Sequence, residues 1–354
     1  MGVTYTTVQW NRQKRLYVLI MGVLMGLYLF VFTVLSTSFY PEMTVETLII
    51  RATGSLSILM LHVILGIGPL ARLDKRFLPL LYNRRHLGVT MFLVAFTHGT
   101  FSIIQFHALG NTNALLSLFT SNLRYNSLVH FPFQTLGFFA LMILFLMAAT
   151  SHDFWLNNLG PRFWKSLHML VYIAYTLVIM HVMLGTVQFD HSPILVIALG
   201  TGMLSLILLH LIAGYKSRIV DRKRGEADTV GYVKVGEVSE IANNCAKTVS
   251  VDGERIAVFK YDGKLSAISD VCCHQNGPLG EGRVIDGCVT CPWHGYQYYP
   301  HNGQSPAPFK EKLATYDLKL VGTTIWVNPH PSPPGTHKEP IVFEQPPKTD
   351  NTDA

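Results

Sequence analysis

Residues 272–295 read CCHQNGPLGEGRVIDGCVTCPWHG and carry the most specific pattern in the chain. Cys272 and His274 form a C-x-H box; after a sixteen-residue interval Cys291 and His294 form a C-x-x-H box. Two thiolates and two imidazoles suit a two-iron, two-sulfur centre in which one iron is held by sulfur and the other by nitrogen. Zinc is the main rival, because it also takes two cysteines and two histidines. Zinc-finger spacing, however, normally keeps the cysteines in one box and the histidines in another. Here each box mixes both types, so that each loop can supply one ligand to each iron.

Around these boxes the chain resembles the Rieske family. Gly277-Pro278-Leu279 follows the first box, and Pro306-Ala307-Pro308 lies where that family has a proline loop over its cluster. The resemblance implies one [2Fe–2S] cluster held by Cys272, His274, Cys291 and His294. High-potential members carry an extra cysteine in each box and a serine after the second. This sequence has Gly277, Trp293 and Tyr296 at those places and keeps Tyr298 as the matching hydroxyl donor for cluster tuning. Fewer hydrogen bonds to sulfur favour the oxidised cluster, so a potential low in the Rieske range is expected. Cys273 and Cys288 have no assigned role.

The composition of the whole 354-residue chain is lopsided. Charged residues make up 14%, against roughly 25% in ordinary soluble proteins, and most fall outside a few long apolar runs. The net charge of +6 does not indicate nucleic acid, because the excess flanks apolar segments, where positive charge orients helices. Five cysteines, most of them at the two boxes, do not make a disulfide framework.

Apolar runs at about 16–35, 52–71, 87–106, 131–150, 166–187 and 193–214 predict six transmembrane helices. The first is too long for the apolar part of a signal peptide. One set of flanks carries Arg12, Lys14 and Arg15; Arg72, Lys75, Arg76, Arg84 and Arg85; Arg162 and Lys165; and Lys216, Arg218, Arg222, Lys223 and Arg224. The opposite flanks have only Arg51 and Arg124. Positive flanks face the cytoplasm. The expectation is therefore a multi-pass protein of the plasma (inner) membrane with both termini, and the β-rich C-terminal domain, inside.

From residue 230 the pattern changes to short β-rich runs at 232–235, 247–251, 256–261, 265–268, 284–285 with Val289, and 318–327. Asp252-Gly253 and Asp262-Gly263 supply hairpin turns. The predicted organisation is a helical membrane domain over 1–220, a linker over 221–229, a small antiparallel all-β domain over 230–328, and a proline-rich, disordered tail over 329–354.

Six histidines fall in or beside the apolar runs: His62, His86, His98, His168, His181 and His210. Ionisable groups at membrane depth mark function, and imidazole is a common axial ligand of haem. At about 1.5 Å per residue, His98 lies about 20 Å beyond Arg85 and His181 about 24 Å beyond Lys165, so these two can share one haem. His168 is only about 5 Å deep by the same rise and cannot share it. A second, inner haem would need another partner, for which His86 and His210 are candidates, with His62 at intermediate depth.

Arg84-Arg85-His86-Leu87-Gly88 leading to His98, Thr150-Ser151, and Trp164-Lys165-Ser166-Leu167-His168 leading to His181 resemble the ferric reductase-like transmembrane family. Within it, the haem-binding membrane subunit of bacterial methionine sulfoxide reductase systems is the nearest likeness. The resemblance covers about residues 10–215 and implies one or two b-type haems ligated by His98, His168 and His181. His86 rests on depth alone.

Together these features predict a transmembrane oxidoreductase or its electron-transfer subunit. A cytoplasmic reductase or ferredoxin would reduce the cluster, and one or two haems would pass electrons to an extracytoplasmic acceptor or partner oxidoreductase. Flow in reverse from a quinol, and a membrane redox sensor, are the alternatives. A Rieske oxygenase would need a further mononuclear iron domain, for which too little chain follows the β domain.

Overall fold

A computed structural model describes residues 12–77, 80–81, 83–151, 155, 159, 161–188, 193–222, 231–251, 254–273, 277–292 and 295–343. The chain forms two compact units, one ending at Ala213 and the other beginning at Gly214.

The first unit is helical. Its described helices are α1 (Arg12–Phe39), α2 (Val45–Leu73), α3 (Arg84–His107), α4 (Ala114–Thr120), α5 (Phe133–Ala149), α6 (Pro161–Met169), α7 (Val171–Val182) and α8 (Pro193–Arg222). Apolar sequence alone does not say where such helices begin, but caps do. Thr44 accepts a hydrogen bond from the Thr47 amide at the start of α2, and Asn113 accepts two, from Leu115 and Leu116, at the start of α4. Thr53 and Ser55 return their hydroxyls to the Ile49 and Arg51 carbonyls of their own helix, so these polar side chains need no partner in lipid. The main packing pairs are α2 with α3 and α5 with α7.

Five described helices are long and apolar enough to cross a membrane: Arg15–Phe39, Val45–Leu73, Arg84–His107, Phe163–Val187 and Leu195–Ile219. The remaining expected span, 131–150, is the 17-residue α5. At 1.5 Å per residue it reaches about 26 Å, short of a hydrocarbon core of about 30 Å. The fourth of the long spans is composite: α6, α7 and a π-helical turn over Met183–Val187 follow one another.

The second unit is built from antiparallel strands. In one sheet the order is β1 (Val233–Glu237), β10 (Thr324–Val327), β9 (Leu318–Val321). In the next it is β11 (Ile341–Val342), β4 (Lys264–Ser269), β3 (Glu254–Tyr261), β2 (Cys245–Val251), with β8 (Thr315–Tyr316) also on β4. A third joins β5 (Arg283–Ile285), β6 (Cys288–Thr290) and β7 (Gln297–Tyr298). Val233, Val235, Ile256, Val258, Leu265, Ile325 and Val327 form the core of the first two sheets. Asp262 and Gly263, with φ of 45° and 70°, make the two-residue turn joining β3 to β4, and Asp286 and Gly287, at 51° and 74°, do the same for β5 and β6. Both central residues at positive φ match the right-handed twist of the flanking strands. The turn expected at Asp252-Gly253 lies outside the described residues.

Two expectations change here. The run 318–327 is two strands separated by a turn with Gly322 at φ +59°. The tail expected to be disordered from Pro329 is laid down as ordered chain to Phe343. Ser332 donates its amide to the Thr315 carbonyl, Gly335 to Leu313, and Phe343 to Gly263, while Ile341 pairs with Leu265 on the edge of β4. Its prolines prevent a regular strand, but they leave enough amides free to pair along an edge that would otherwise stay open. Residues 344–354 lie outside the described residues.

Candidate functional site

Cys272 and Cys291 are fully buried, one at the end of the segment after β4 and the other just after β6. Each sits in a loop closed by its own backbone. Cys272 donates its amide to the Gly277 carbonyl at 3.0 Å, while Cys291 donates to Tyr296 at 2.8 Å and accepts from Gly295 at 2.9 Å. Gly295 has φ +69°, where a side chain would be strained. His274 and His294, the two imidazole donors expected from the sequence, lie outside the described residues, as does Trp293. Among the described residues no group of three His, Cys, Asp or Glu side chains converges on a metal ion. What is described of the expected ligands is two buried thiols on two loops.

Asp270, fully buried, holds the first loop together. Its carboxylate accepts from the Gly280 amide at 2.6 Å and pairs with Arg255 at 3.2 Å, and its carbonyl accepts from Leu279. A Cβ at Gly280 would overlap Thr248 Oγ1, so only glycine brings this loop so close to β2. The second loop is flanked by the segment 305–312. Phe309 packs against Tyr296 with ring centres 4.8 Å apart, Tyr296 donates its hydroxyl to the Glu311 carboxylate, and Cys273 Sγ donates to the Lys312 carbonyl at 3.3 Å.

Tyr298 lies on β7 with no exposed surface, its hydroxyl 3.4 Å from Cys272 Sγ. Burial first, and then the adjacent Cys272 sulfur, pushes its pKa far above the ordinary tyrosine range. It therefore stays protonated and able to donate. Burial and then Glu311 do the same to Tyr296.

In the helical unit His98 on α3 and His181 on α7 face each other, with ring centres 6.1 Å apart and planes at 83°. His98 Nδ1 donates to the Ile50 carbonyl on α2 at 2.9 Å, and His181 Nδ1 donates to the Phe133 carbonyl on α5 at 2.8 Å. With Nδ1 protonated by that bond, the lone pair available to a metal is on Nε2. An iron bonded on both sides at about 2 Å separates two ring centres by about 6 Å, so this pair fits an iron ligated from both faces.

The other four histidines are placed differently. His168 on α6 stacks on Trp164 at 3.6 Å between ring centres and gives Nδ1 to the Trp164 carbonyl, leaving Nε2 buried and without a hydrogen-bond partner. That orphaned nitrogen also suits a ligand. His62 and His210 have both nitrogens engaged: Nδ1 on the carbonyls of Ile58 and Leu206, Nε2 on the hydroxyls of Tyr175 at 3.1 Å and Tyr172 at 3.4 Å. His86 lies in the first turn of α3. The tyrosine partners are invisible in the sequence, where only the spacing of 172 and 175 on one helix hints at a shared face.

Comparison with known proteins follows the same division. A model of the Rieske [2Fe-2S] domain matches residues 231–317, and one of the ferric reductase like transmembrane component matches residues 51–179. The anthranilate 1,2-dioxygenase ferredoxin subunit of Burkholderia cepacia is 32% identical over 105 residues, covering 29% of this chain and 96% of that protein. The protein-methionine-sulfoxide reductase heme-binding subunit MsrQ of Salmonella newport (strain SL254) is 31% identical over 156 residues, covering 44% of this chain and 72% of that one. Among solved structures, the ferredoxin of carbazole 1,9a-dioxygenase from Nocardioides aromaticivorans IC177 is 24% identical, with a TM-score of 0.27, and is matched over 28% of this chain and 98% of its own.

Proposed function

The chain belongs to the ferric reductase-like transmembrane family and carries a C-terminal Rieske [2Fe–2S] domain, and from that premise we propose that it conducts electrons across a membrane from a cytoplasmic donor to an extracytoplasmic acceptor. The observation that carries this reading is the facing pair of His98 and His181, 6.1 Å apart, each with Nδ1 tied to a carbonyl. A half-buried imidazole pair of that geometry has no evident use in packing.

When bound, the cluster and a b-type haem supply one-electron reduction and oxidation. Cys272, His274, Cys291 and His294 would hold the cluster, and His98 and His181 the haem. His168, with its buried free Nε2, would hold a second haem on the inner side, and His86 is the partner that depth allows. His62 and His210 serve less well, since tyrosine hydroxyls occupy the nitrogens a metal would need. Tyr298 donates toward Cys272 and favours the reduced cluster. The basic flanks argue for six spans with both termini and the Rieske domain inside. A soluble reductase or ferredoxin is the donor this arrangement suits, and the acceptor stands outside, either small or a partner oxidoreductase.

The test supplies reduced ferredoxin to the full chain in nanodiscs and follows the haem bands by stopped-flow absorbance. Rapid haem reduction in the wild type, abolished in Cys291→Ser, is expected. Haem bands that stay oxidised while the cluster is reduced, or that respond equally fast in Cys291→Ser, would sink the proposal.

A further inference from the structure

One local arrangement occurs twice in the helical unit. On α2 the Ile50 carbonyl accepts from His98, forty-eight positions later; on α5 the Phe133 carbonyl accepts from His181, again forty-eight positions later. Four residues beyond each carbonyl, one helical turn along the same face, stands a glycine: Gly54 and Gly137. A Cβ at Gly54 would lie 2.8 Å from His98 Nδ1 and 3.0 Å from its Cε1; a Cβ at Gly137 would lie 2.8 Å from both Nδ1 and Cε1 of His181. These separations are too short for a side chain to occupy without moving the ring. Carbonyl, glycine and histidine are each displaced by the same 83 residues, 50 to 133, 54 to 137 and 98 to 181. The two hairpins, α2 with α3 and α5 with α7, therefore carry one device in duplicate.

We propose that Gly54 and Gly137 are positioning residues that let each imidazole lie flat against the neighbouring helix, fix its Nδ1 on that helix's carbonyl, and so hold the two ligand planes nearly perpendicular. This rests on the assignment of His98 and His181 as haem ligands. The carbonyl alone does not suffice. Its lone pair points along the helix toward the next turn, and the ring reaches it only by crossing the position that a Cβ four residues on would fill.

His62 supplies the contrast. A Cβ at Gly202 would come within 2.7 Å of His62, but there the near atom is Nε2, and Nδ1 is already bonded to His62's own helix. A glycine beside a histidine is thus not enough. Among the described residues, His98 and His181 are where the glycine accompanies a cross-helix bond to Nδ1.

Perpendicular and coplanar bis-imidazole haems are distinguishable in the ferric state. Perpendicular planes give a strongly anisotropic low-spin resonance dominated by one high-g feature, whereas coplanar planes give three resolved lines. The experiment records electron paramagnetic resonance and a redox titration on oxidised full-length protein in nanodiscs, following the component that His181→Ala abolishes. If His181→Ala abolishes none, the ligand assignment fails and this inference with it. If that component exists and in the wild type shows three rhombic lines, the ligand assignment stands but the pinned perpendicular geometry is overturned, whatever the variants do.

The expected wild-type signal is the single high-g feature. Gly54→Ala and Gly137→Ala should each convert it to a rhombic or high-spin signal and shift the midpoint potential, or lose this haem while keeping the Rieske signal. Gly200→Ala, at a glycine with open space around it, should leave it unchanged. Wild-type spectrum and potential in both Gly54→Ala and Gly137→Ala would overturn the proposal. Should both variants fail to fold, with the Rieske signal lost as well, the wild-type spectrum decides.

Discussion

At Tyr298 a single hydroxyl is positioned to set a potential. It lies 3.4 Å from Cys272 Sγ, in a side chain with no exposed surface, and burial keeps it protonated. Tyr296, at the place where high-potential Rieske proteins have serine, spends its hydroxyl on Glu311 instead. Tyr298→Phe should therefore remove a donor to the ligand sulfur and lower the cluster potential by tens of millivolts, roughly the worth of one hydrogen bond of about 1 kcal/mol. A redox titration of the Rieske resonance measures this, and an unchanged potential would show that the hydroxyl does not act on the cluster. Residues of this kind are legible in sequence in proportion to how much their chemistry depends on type alone. The thiols of Cys272 and Cys291 and the imidazoles of His98 and His181 announce themselves. Gly54, Gly137 and Asp270 do not, because their roles depend on which carbonyl or amide another helix or loop brings within 3 Å, and no local pattern encodes that.

Among the elements, the segment after β10 departs furthest from expectation. Composition marks it as too proline-rich and polar to order itself, which is correct for an isolated chain. The edge of β4 and the loop before β8 supply what the segment lacks, through amide bonds from Ser332, Gly335 and Phe343, the Lys338 amide on the His301 carbonyl, and the Lys338–Asp317 ion pair at 2.7 Å. A chain ending at Asn328 loses all of these and reopens the β4 edge. With several backbone bonds at about 1 kcal/mol each, thermal loss of the Rieske visible signal should come earlier by an amount equivalent to roughly 3 kcal/mol. A truncated protein that bleaches at the same temperature as the full chain would mean the segment contributes nothing to the domain. The hairpins at Asp262-Gly263 and Asp286-Gly287 stand at the opposite extreme. Only the first stands out in the sequence, although both carry the same Asp-Gly signal, because the strands flanking Asp286 are just three residues each.

For the molecule as a whole, the number of crossings decides which side of the membrane the Rieske domain faces. Five apolar helices are long enough without question, and α5, at 17 residues, is not. If α5 does not cross, the two ends of the chain lie on opposite sides; if it does, they share one. Two observations favour crossing. α5 packs along α7, and its Phe133 carbonyl accepts the His181 bond. The basic residues also alternate correctly only when a crossing separates Arg124 from Arg162 and Lys165. A helix of about 26 Å can span by local thinning of the bilayer at modest cost. Protease added to inverted inner-membrane vesicles should then remove both an N-terminal tag and the Rieske domain, while right-side-out vesicles protect both. Removal of the Rieske domain from right-side-out vesicles, with the tag removed only from inverted ones, would give an odd number of spans and put the domain outside, and the proposed direction of electron flow, from a cytoplasmic donor outward, would have to be abandoned.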